Sequence, residues 1–252
     1  MAARLPRTPW AAGQVEQDAT WLPRLAPQLP LAVPEPVAIG NPGEGYPFSW
    51  GVYRWLDGEA FQLDLLSDPA QAAADLAGFI CSLQSVDTTG APAPAEDPFS
   101  RGTALAPRDA LFREALDELR DEYDTGLVLA AWEASLAAAP WGGAPVWIHG
   151  DLLPGNLLVA KGRLSAVIDF ATLRAADPAG DLLAAWYAFT GESRRVFRDG
   201  LGVGDDTWAR GRGWALSLQL ISIPYYRKRN PDAVRQPSQV IADTLADFAA
   251  EG

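Results

Sequence analysis

The sequence predicts an α+β fold in which a small α/β lobe precedes a larger, mainly helical lobe. Two observations favour it. The first quarter combines one helical segment with short extended runs and is rich in Pro and aromatic residues. From Asp68 onward, apolar residues recur at intervals of three and four, which is typical of helices that bury one face. We therefore assign a partial first lobe to residues 1–56 and a second lobe to residues 57–252.

Local sequence signals support the elements of both lobes. The apolar residues of segment 14–26 recur at helical intervals, which predicts a helix. Segments 34–40 and 48–56 are extended runs that predict two strands. The glycines between them follow the order G-x-x-G-x-G without a helix after them, so a plain turn is favoured over a phosphate-binding loop. Segment 68–86 starts with Asp-Pro, a typical helix start, and opens a series of predicted helices.

Composition limits the class of protein. Cys81 is the only cysteine, so the chain forms no internal disulfide and no thiolate zinc cluster. The sequence has neither an apolar run of about 18 residues nor the apolar core of a secretory signal, and we expect a cytoplasmic protein. A formal charge of −12 argues against nucleic acid and anionic membranes as partners and is compatible with a cationic ligand. The sequence does not predict the oligomeric state.

The residues that carry chemistry lie around the single histidine, in the stretch VWIHGDLLPGNLLV. Predicted strands at 146–148 and 156–160 enclose a loop that contains Asp151 and ends at Asn156, and the returning strand ends at Asp169. This hairpin brings Asp169 beside Asn156, and their oxygens suit Mg²⁺. Asp151 is then free to face a hydroxyl group. In kinase-type phosphoryl transfer, one aspartate faces the acceptor hydroxyl, and an Asn–Asp pair holds Mg²⁺ on the nucleotide phosphates. The predicted loop and hairpin have this arrangement.

The segments HGDLLPGNLLV, VIDF and DPAGDLLAAW together resemble the aminoglycoside phosphotransferase family, the small-molecule branch of the protein-kinase-like fold. The similarity runs from about residue 2 to about residue 190. It implies that Asp151 is the catalytic base and that Asn156 and Asp169 bind Mg²⁺. It also implies that His149 supports the loop through the backbone near Asp169, and that Asp181 braces the same loop. ATP or GTP is the implied phosphoryl donor.

The resemblance also implies a nucleotide site in the first lobe. The segment VYRWLDGE is similar to the family's hinge, with Tyr53 in a gatekeeper-like position. The backbone carbonyl of Arg54 and the backbone amide of Leu56 would then meet the edge of the adenine. A plain edge strand is the alternative interpretation of this segment.

The phosphate-binding lysine of the family corresponds to Arg4 in this chain. A guanidinium can supply the same charge as a planar fork rather than a point. Its carboxylate partner would be Asp18, with Glu16 as the nearby alternative, and a solvated helix face is the competing interpretation. Three residues precede Arg4, so we expect the family's first two strands and phosphate-covering loop to be missing. A start codon placed too far downstream, a truncated chain and a genuine short form all explain this.

Three functional hypotheses follow. The first is an ATP- or GTP-dependent O-phosphotransferase for a small hydroxylated molecule, foremost an aminoglycoside-like antibiotic, with macrolides, choline-like alcohols and sugars as other acceptors. Carboxylates such as Glu192, Asp205 and Asp206 are candidate contacts for a polycationic acceptor. The second is a non-catalytic kinase-like protein that binds a nucleotide or a partner without the phosphate loop. The third, a metal-dependent hydrolase, ranks last because such enzymes use more metal ligands.

Overall fold

The computed structural model describes residues 1–95, 97–229 and 238–250. The strands are β1 (Ala2–Arg4), β2 (Pro36–Gly40), β3 (Trp50–Tyr53), β4 (Glu59–Ala60), β5 (Val146–Ile148), β6 (Leu157–Ala160), β7 (Arg163–Val167) and β8 (Arg174–Ala176). The helices are α1 (Gln14–Leu25), α2 (Pro69–Gln84), α3 (Asp109–Glu118), α4 (Thr125–Ala137), α5 (Ala184–Tyr187), α6 (Gly191–Leu201), α7 (Asp205–Arg229) and α8 (Gln239–Ala250). The α+β prediction is confirmed.

A three-stranded antiparallel sheet in the order β1-β3-β2 forms the first part of the molecule. Helix α1 packs beside β2 and buries Val15, Leu22 and Leu25, three of the four apolar positions that the helical spacing selects, while the fourth, Trp21, is half-buried. Ahead of α1, the described residues form the single strand β1, which pairs Arg4 with Gly51. The Arg4 side chain is therefore fixed at the edge of the sheet that faces the second lobe.

Two small antiparallel sheets hold the loop of the VWIHGDLLPGNLLV stretch. Strand β5 pairs with β8, with Trp147 opposite Ala175. Strands β6 and β7 form a hairpin with Leu157 opposite Val167, and β4 adds a short third strand to it. The loop thus leaves one sheet and enters another, so both of its ends are fixed by backbone hydrogen bonds.

The helical part has two apolar clusters. The first surrounds α2, whose Leu76, Phe79 and Ile80 are fully buried, and includes apolar residues of α5, α6 and the β6–β7 hairpin. The second lies among α3, α4, α7 and α8, where the rings of Phe112 and Trp132 stack with centroids 4.3 Å apart. Helix α2 is capped as its sequence predicts, because the Asp68 side chain accepts a hydrogen bond from the backbone amide of Gln71 at 3.0 Å.

The observed elements differ from the predicted ones mainly at their ends. The strand predicted for residues 48–56 covers only β3, and residues 54–58 continue without strand pairing as a connection between the two parts of the chain. The segments 214–226 and 240–252, which the sequence predicts to be helical, lie in α7 and in α8 as far as Ala250. Residues 230–237 and 251–252 of the predicted second lobe lie outside the described residues, as does residue 96. Within the described ranges, no helix combines the length and the apolar character needed to cross a bilayer.

Replacing Leu76 with alanine tests the first apolar cluster. Leu76 is completely buried, so the change should lower the free energy of unfolding by about 2–5 kcal/mol through lost contacts and a residual cavity. The matched change Leu63→Ala removes the same atoms from a side chain that is 38% exposed and should change stability by less than about 1 kcal/mol. Urea unfolding followed by circular dichroism measures both. Equal effects of the two variants would contradict the assignment of this core.

Candidate active site

Asp181 holds the backbone of the loop that carries Asp151. Its Oδ2 accepts a hydrogen bond from the backbone amide of His149 at 3.0 Å, and its Oδ1 accepts one from the amide of Gly150 at 2.6 Å. Burial raises the pKa of the Asp181 carboxyl to about 7, and the two backbone amides act in the opposite direction. A carboxylate with both oxygens bonded to consecutive amides fixes the direction in which the next residue, Asp151, leaves the strand.

His149 joins this loop to the segment that follows β7. Its ring Nε2 lies 3.1 Å from the carbonyl oxygen of Ile168, and its Nδ1 accepts a hydrogen bond from the amide of Asp151 at 3.2 Å. The Phe170 ring packs against the imidazole with centroids 4.6 Å apart. A neutral ring with its proton on Nε2 forms both hydrogen bonds, because Nε2 then donates and Nδ1 accepts. Burial lowers the pKa of His149 to about 4. The histidine therefore acts as a neutral clamp between two backbone segments.

Asp151 and Asn156 are in direct contact. The Asn156 side-chain nitrogen donates to the backbone carbonyl of Asp151 at 2.8 Å and to its Oδ2 at 2.9 Å. These two bonds occupy the nitrogen, so Oδ1 of Asn156 points to the opposite side of the amide group. Burial raises the pKa of Asp151, while the Arg101 charge and the Asn156 hydrogen bond lower it.

The end of β7 brings Asp169 to the same place. The backbone amide of Ile168 donates to the carbonyl oxygen of Asn156 at 2.9 Å, which ties this strand end to the loop. Asp169 itself has a left-handed backbone with φ of 62°, and its half-exposed side chain lines the cavity between the two lobes. Asn156 and Asp169 thus lie on neighbouring backbone segments.

The donor set of Asn156 and Asp169 fits Mg²⁺. In the part of the chain that the structure describes, no group of three or more His, Cys, Asp or Glu side chains is placed to hold a metal ion. One carboxylate and one amide oxygen are a sparse set, and Mg²⁺ is the ion that commonly binds through one or two protein ligands together with water and substrate phosphates.

A cavity of about 380 Å³ lies between the two lobes, beside Asp169. The backbone segment Tyr53–Leu56 forms one wall, and Leu158 and Ile168 form part of the opposite wall. Both predicted hinge residues, Arg54 and Leu56, therefore line the cavity. A mostly apolar space walled by the backbone of this connection suits a flat heteroaromatic base.

Arg4 connects this cavity to Asp169 and to α1. One guanidinium nitrogen lies 2.7 Å from Oδ1 of Asp169 and 3.0 Å from Oε1 of Gln14, and the other lies 3.3 Å from Oδ2 of Asp18. Asp18 also accepts a hydrogen bond from the Tyr53 hydroxyl at 2.9 Å. Burial raises the pKa of Asp18, and the Tyr53 and Arg4 contacts lower it. The contacts of Arg4 fall on Asp18 rather than on Glu16, the alternative partner.

The candidate acceptor carboxylates lie apart from this cavity. Glu192 and Asp205 belong to the first turns of α6 and α7, and Asp205 lies 2.7 Å from the guanidinium of Arg198. Asp206 accepts a hydrogen bond from the backbone amide of Ala139 at 2.9 Å. Their part in acceptor binding stays a prediction.

Sequence reasoning missed several residues that the structure brings to the site. Trp55, Leu158 and Ile168 line the cavity. Arg101, from the loop before α3, has a guanidinium nitrogen 3.9 Å from Oδ1 of Asp151. The aromatic side chain in the hinge was a usable signal for Trp55. Arg101 gave none, because it lies in an irregular segment far from the motif in sequence.

A small lobe with a sheet, a larger helical lobe, a cavity between them and an aspartate on a braced loop beside an Asn–Asp pair whose oxygens suit Mg²⁺ are the arrangement of kinase-like phosphotransferases. Residues 1–214 match the pattern of the phosphotransferase enzyme family (APH). The chain belongs to that family. Among curated proteins, a sequence search finds no match.

Solved structures of similar fold support this placement. The GDP and kanamycin complex of APH(2")-IIia aligns over 99% of this chain and 87% of its own, with 22% identity and a TM-score of 0.71. The streptomycin–ATP ternary complex of APH(2")-IIa aligns over 95% and 85%, with 17% identity and a TM-score of 0.58. Macrolide 2'-phosphotransferase MphH from Brachybacterium faecium aligns over 97% and 83%, with 24% identity and a TM-score of 0.56. At these identities the comparison shows a shared fold.

Replacing Asp181 with asparagine should loosen the catalytic loop. Asparagine offers one acceptor where Asp181 supplies two, so one of the bonded backbone amides loses its partner. We expect a loss of about 1–3 kcal/mol in the free energy of unfolding. The control Asp121→Asn alters an exposed carboxylate and should change stability by less than about 0.5 kcal/mol. Urea midpoints measure both, and an Asp181 variant as stable as the Asp121 variant would contradict the bracing role.

His149 should titrate far below an ordinary histidine. Its pKa in the folded protein is lowered to about 4, whereas the unfolded chain takes up this proton near pH 6.5. Stability from the neutral ring is therefore complete above about pH 6.5 and is lost as the pH falls toward 4. Because His149 is the only histidine, one ring signal in a proton NMR titration reports it directly. A midpoint near 6.5 in the folded protein would rule out the buried neutral ring, and the urea-unfolded protein is the control.

Proposed function

We propose that this protein transfers the γ-phosphoryl group of ATP or GTP to a hydroxyl group of a small molecule, with aminoglycoside-like antibiotics as the first acceptor class. The observation that carries the proposal is the hydrogen-bonded Asp151–Asn156 pair, held beside Asp169 at the wall of the interlobe cavity. Phosphoryl transfer needs a catalytic base, ligands for Mg²⁺ and a cavity for the nucleotide, and adjacent backbone segments supply all three here.

The nucleotide is bound by the hinge and by Arg4. The base lies between the backbone of Tyr53–Leu56 and the apolar side chains of Leu158 and Ile168. The phosphates extend toward Arg4 and Asp169, where the guanidinium contributes charge-assisted hydrogen bonds. Asn156 and Asp169 would hold Mg²⁺, which supplies positive charge to the donor phosphates when bound.

Asp151 acts on the acceptor. The acceptor hydroxyl oxygen forms a bond to the γ-phosphorus, and its proton passes to the Asp151 carboxylate. The bond from the γ-phosphorus to the β–γ bridging oxygen breaks, and its electron pair stays on that oxygen of the departing diphosphate. Asn156 keeps Asp151 in position through the 2.9 Å bond to Oδ2. No covalent intermediate on the protein is needed.

Three observations bear on the acceptor. Structures of similar fold contain kanamycin or streptomycin, and another is a macrolide 2'-phosphotransferase. The charge of −12 supports a small, cationic acceptor over nucleic acid. Macrolides, choline-like alcohols and sugars are the alternatives within the same reaction. The single cysteine is typical of proteins of a reducing compartment and supports a cytoplasmic location.

Turnover assays with matched variants test the proposal. Diphosphate release from ATP and GTP is measured with kanamycin, erythromycin, choline and glucose as acceptors, and phosphorylated products are identified by mass spectrometry. Asp151→Asn keeps the shape of the side chain and removes the base, so kcat should fall at least about 100-fold. Asp121→Asn alters an exposed carboxylate of the same lobe and should leave kcat unchanged. Unaltered turnover in the Asp151 variant would refute its role as the base.

Nucleotide binding separates the proposal from its alternative. Asn156→Ala and Asp169→Asn should each lower the affinity for Mg-nucleotide, measured by calorimetry, because each removes an oxygen from the metal set. A protein that binds Mg-nucleotide and yields no phosphorylated product with any acceptor would be the non-catalytic binding module. A wild-type protein that binds neither Mg·ADP nor Mg·GDP would end the phosphotransferase proposal altogether.

A further inference from the structure

We propose that Arg101 is a catalytic residue that contacts the transferred phosphoryl group; this inference rests on the function proposed above. Arg101 lies in the turn that precedes α3, some fifty residues before the catalytic loop in sequence. Its Nη2 is 3.9 Å from Oδ1 of Asp151, at the side chain that receives the acceptor's proton. It is the basic group that the structure places against the proposed base.

The distance leaves the guanidinium available for a ligand. At 3.9 Å, Nη2 is too far from Asp151 for a hydrogen bond. Nη1 donates to the backbone carbonyl of Phe99 at 3.1 Å, and Nε is buried without a hydrogen-bond partner. Buried donors in proteins are nearly always hydrogen-bonded, so we expect a ligand to supply the acceptor that this guanidinium lacks. The three peripheral oxygens of a phosphoryl group are such acceptors.

The surroundings hold Arg101 in place. Its guanidinium carbon lies 5.7 Å from the centroid of the buried Trp214 ring. A side chain at Gly150 would place its Cβ 3.2 Å from Cβ of Arg101, so the glycine of the catalytic loop leaves the room that Arg101 occupies. The Arg101 side chain is only 13% exposed, which limits its choice of conformations. A rigid guanidinium beside the reacting atoms is preorganised, so little reorganisation accompanies the reaction.

The charge near Arg101 favours a multiply charged anion. Buried Arg108 lies over the same Trp214 ring at 4.7 Å and donates to the Ser217 hydroxyl at 2.9 Å. Burial, together with the charge of Arg101, lowers the pKa of Arg108 to about 10. Arg101 thus faces the Asp151 carboxylate, and a second buried cation, Arg108, lies over the same Trp214 ring. Additional negative charge at this point is therefore stabilised.

The phosphoryl group is the anion that comes within reach. In the transfer step, the acceptor oxygen is hydrogen-bonded to Asp151 and in line with the γ-phosphorus. A cation close to Asp151 thus lies near the oxygens of the group in transit, whatever acceptor is used. A positioning role, in which Arg101 only steadies Asp151, predicts no contact with that group. The two roles therefore predict different affinities for a mimic of the transferred phosphoryl group when Arg101 is replaced.

Aluminium fluoride with Mg·ADP or Mg·GDP mimics the group in transit and needs no known acceptor. Calorimetry compares its binding with that of the Mg-diphosphate alone in wild type, Arg101→Gln and Arg101→Lys. We expect aluminium fluoride to increase the affinity of the wild type for the diphosphate. In Arg101→Gln this increase should be at least about tenfold smaller than in the wild type. Affinity for the diphosphate alone should change less than about threefold. Lysine should restore part of the effect, since it keeps the charge and lacks the fork.

Arg120→Gln is the matched control. Arg120 is 64% exposed and pairs with Asp117 one turn away, so its loss should leave both affinities unchanged. Equal tightening in wild type and Arg101→Gln would overturn the proposal, as would a wild type that aluminium fluoride does not tighten. If Arg101→Gln does not fold, Arg101→Lys decides, because full wild-type tightening there would exclude a fork-dependent contact. Failure of the wild type to bind Mg-diphosphate at all would instead remove the proposed function itself.

Discussion

The site depends on one buried carboxylate that accepts hydrogen bonds from two consecutive backbone amides. Asp181 is fully buried, and its bonds to His149 and Gly150 set the path of the loop before Asp151 is reached. Gly150 has a φ of 79°, a conformation that suits glycine, and the carboxylate stabilises the turn around it. Without this anchor the loop would gain alternative paths, and Asp151 would lose its fixed position relative to Asn156 and Asp169.

The anchor on one side of the loop is matched by a clamp on the other. His149 spans the gap to Ile168, and Asn156 reaches the same residue through a backbone bond. The strand that ends at Asp169 is thereby tied twice to the loop that carries Asp151. Sheet pairing alone would fix the relative positions of these segments less well, because the strands are short and their ends fray. The polar ties fix the relative placement of three functional side chains to the length of hydrogen bonds.

Much of this arrangement could be predicted from the sequence, and the reason is spacing. Asp151, Asn156 and Asp169 belong to one strand–loop–hairpin unit, so their separation along the chain determines which segments meet. Asp18 was also found, because the helical period of α1 puts it on the same buried face as Leu22 and Leu25. The cavity walls were harder. Leu158 and Ile168 are ordinary strand residues, and their exposure to a cavity follows from how two lobes pack rather than from any local pattern.

Arg101 shows where local reasoning ends. Its loop has no periodicity, and nothing in its immediate sequence indicates which part of the molecule it will meet. Its position is set by tertiary contacts with Trp214 in α7 and with the space above Gly150. The chain contains only two lysines, so most of its positive charge comes from arginine. Arg4 lies near Asp169 and Arg101 near Asp151, so in the proposed reaction the first guanidinium is on the nucleotide side and the second on the acceptor side. Under the proposed function, a phosphoryl group transferred between these two sides would leave one guanidinium and approach the other, and each can donate charge-assisted hydrogen bonds to its oxygens.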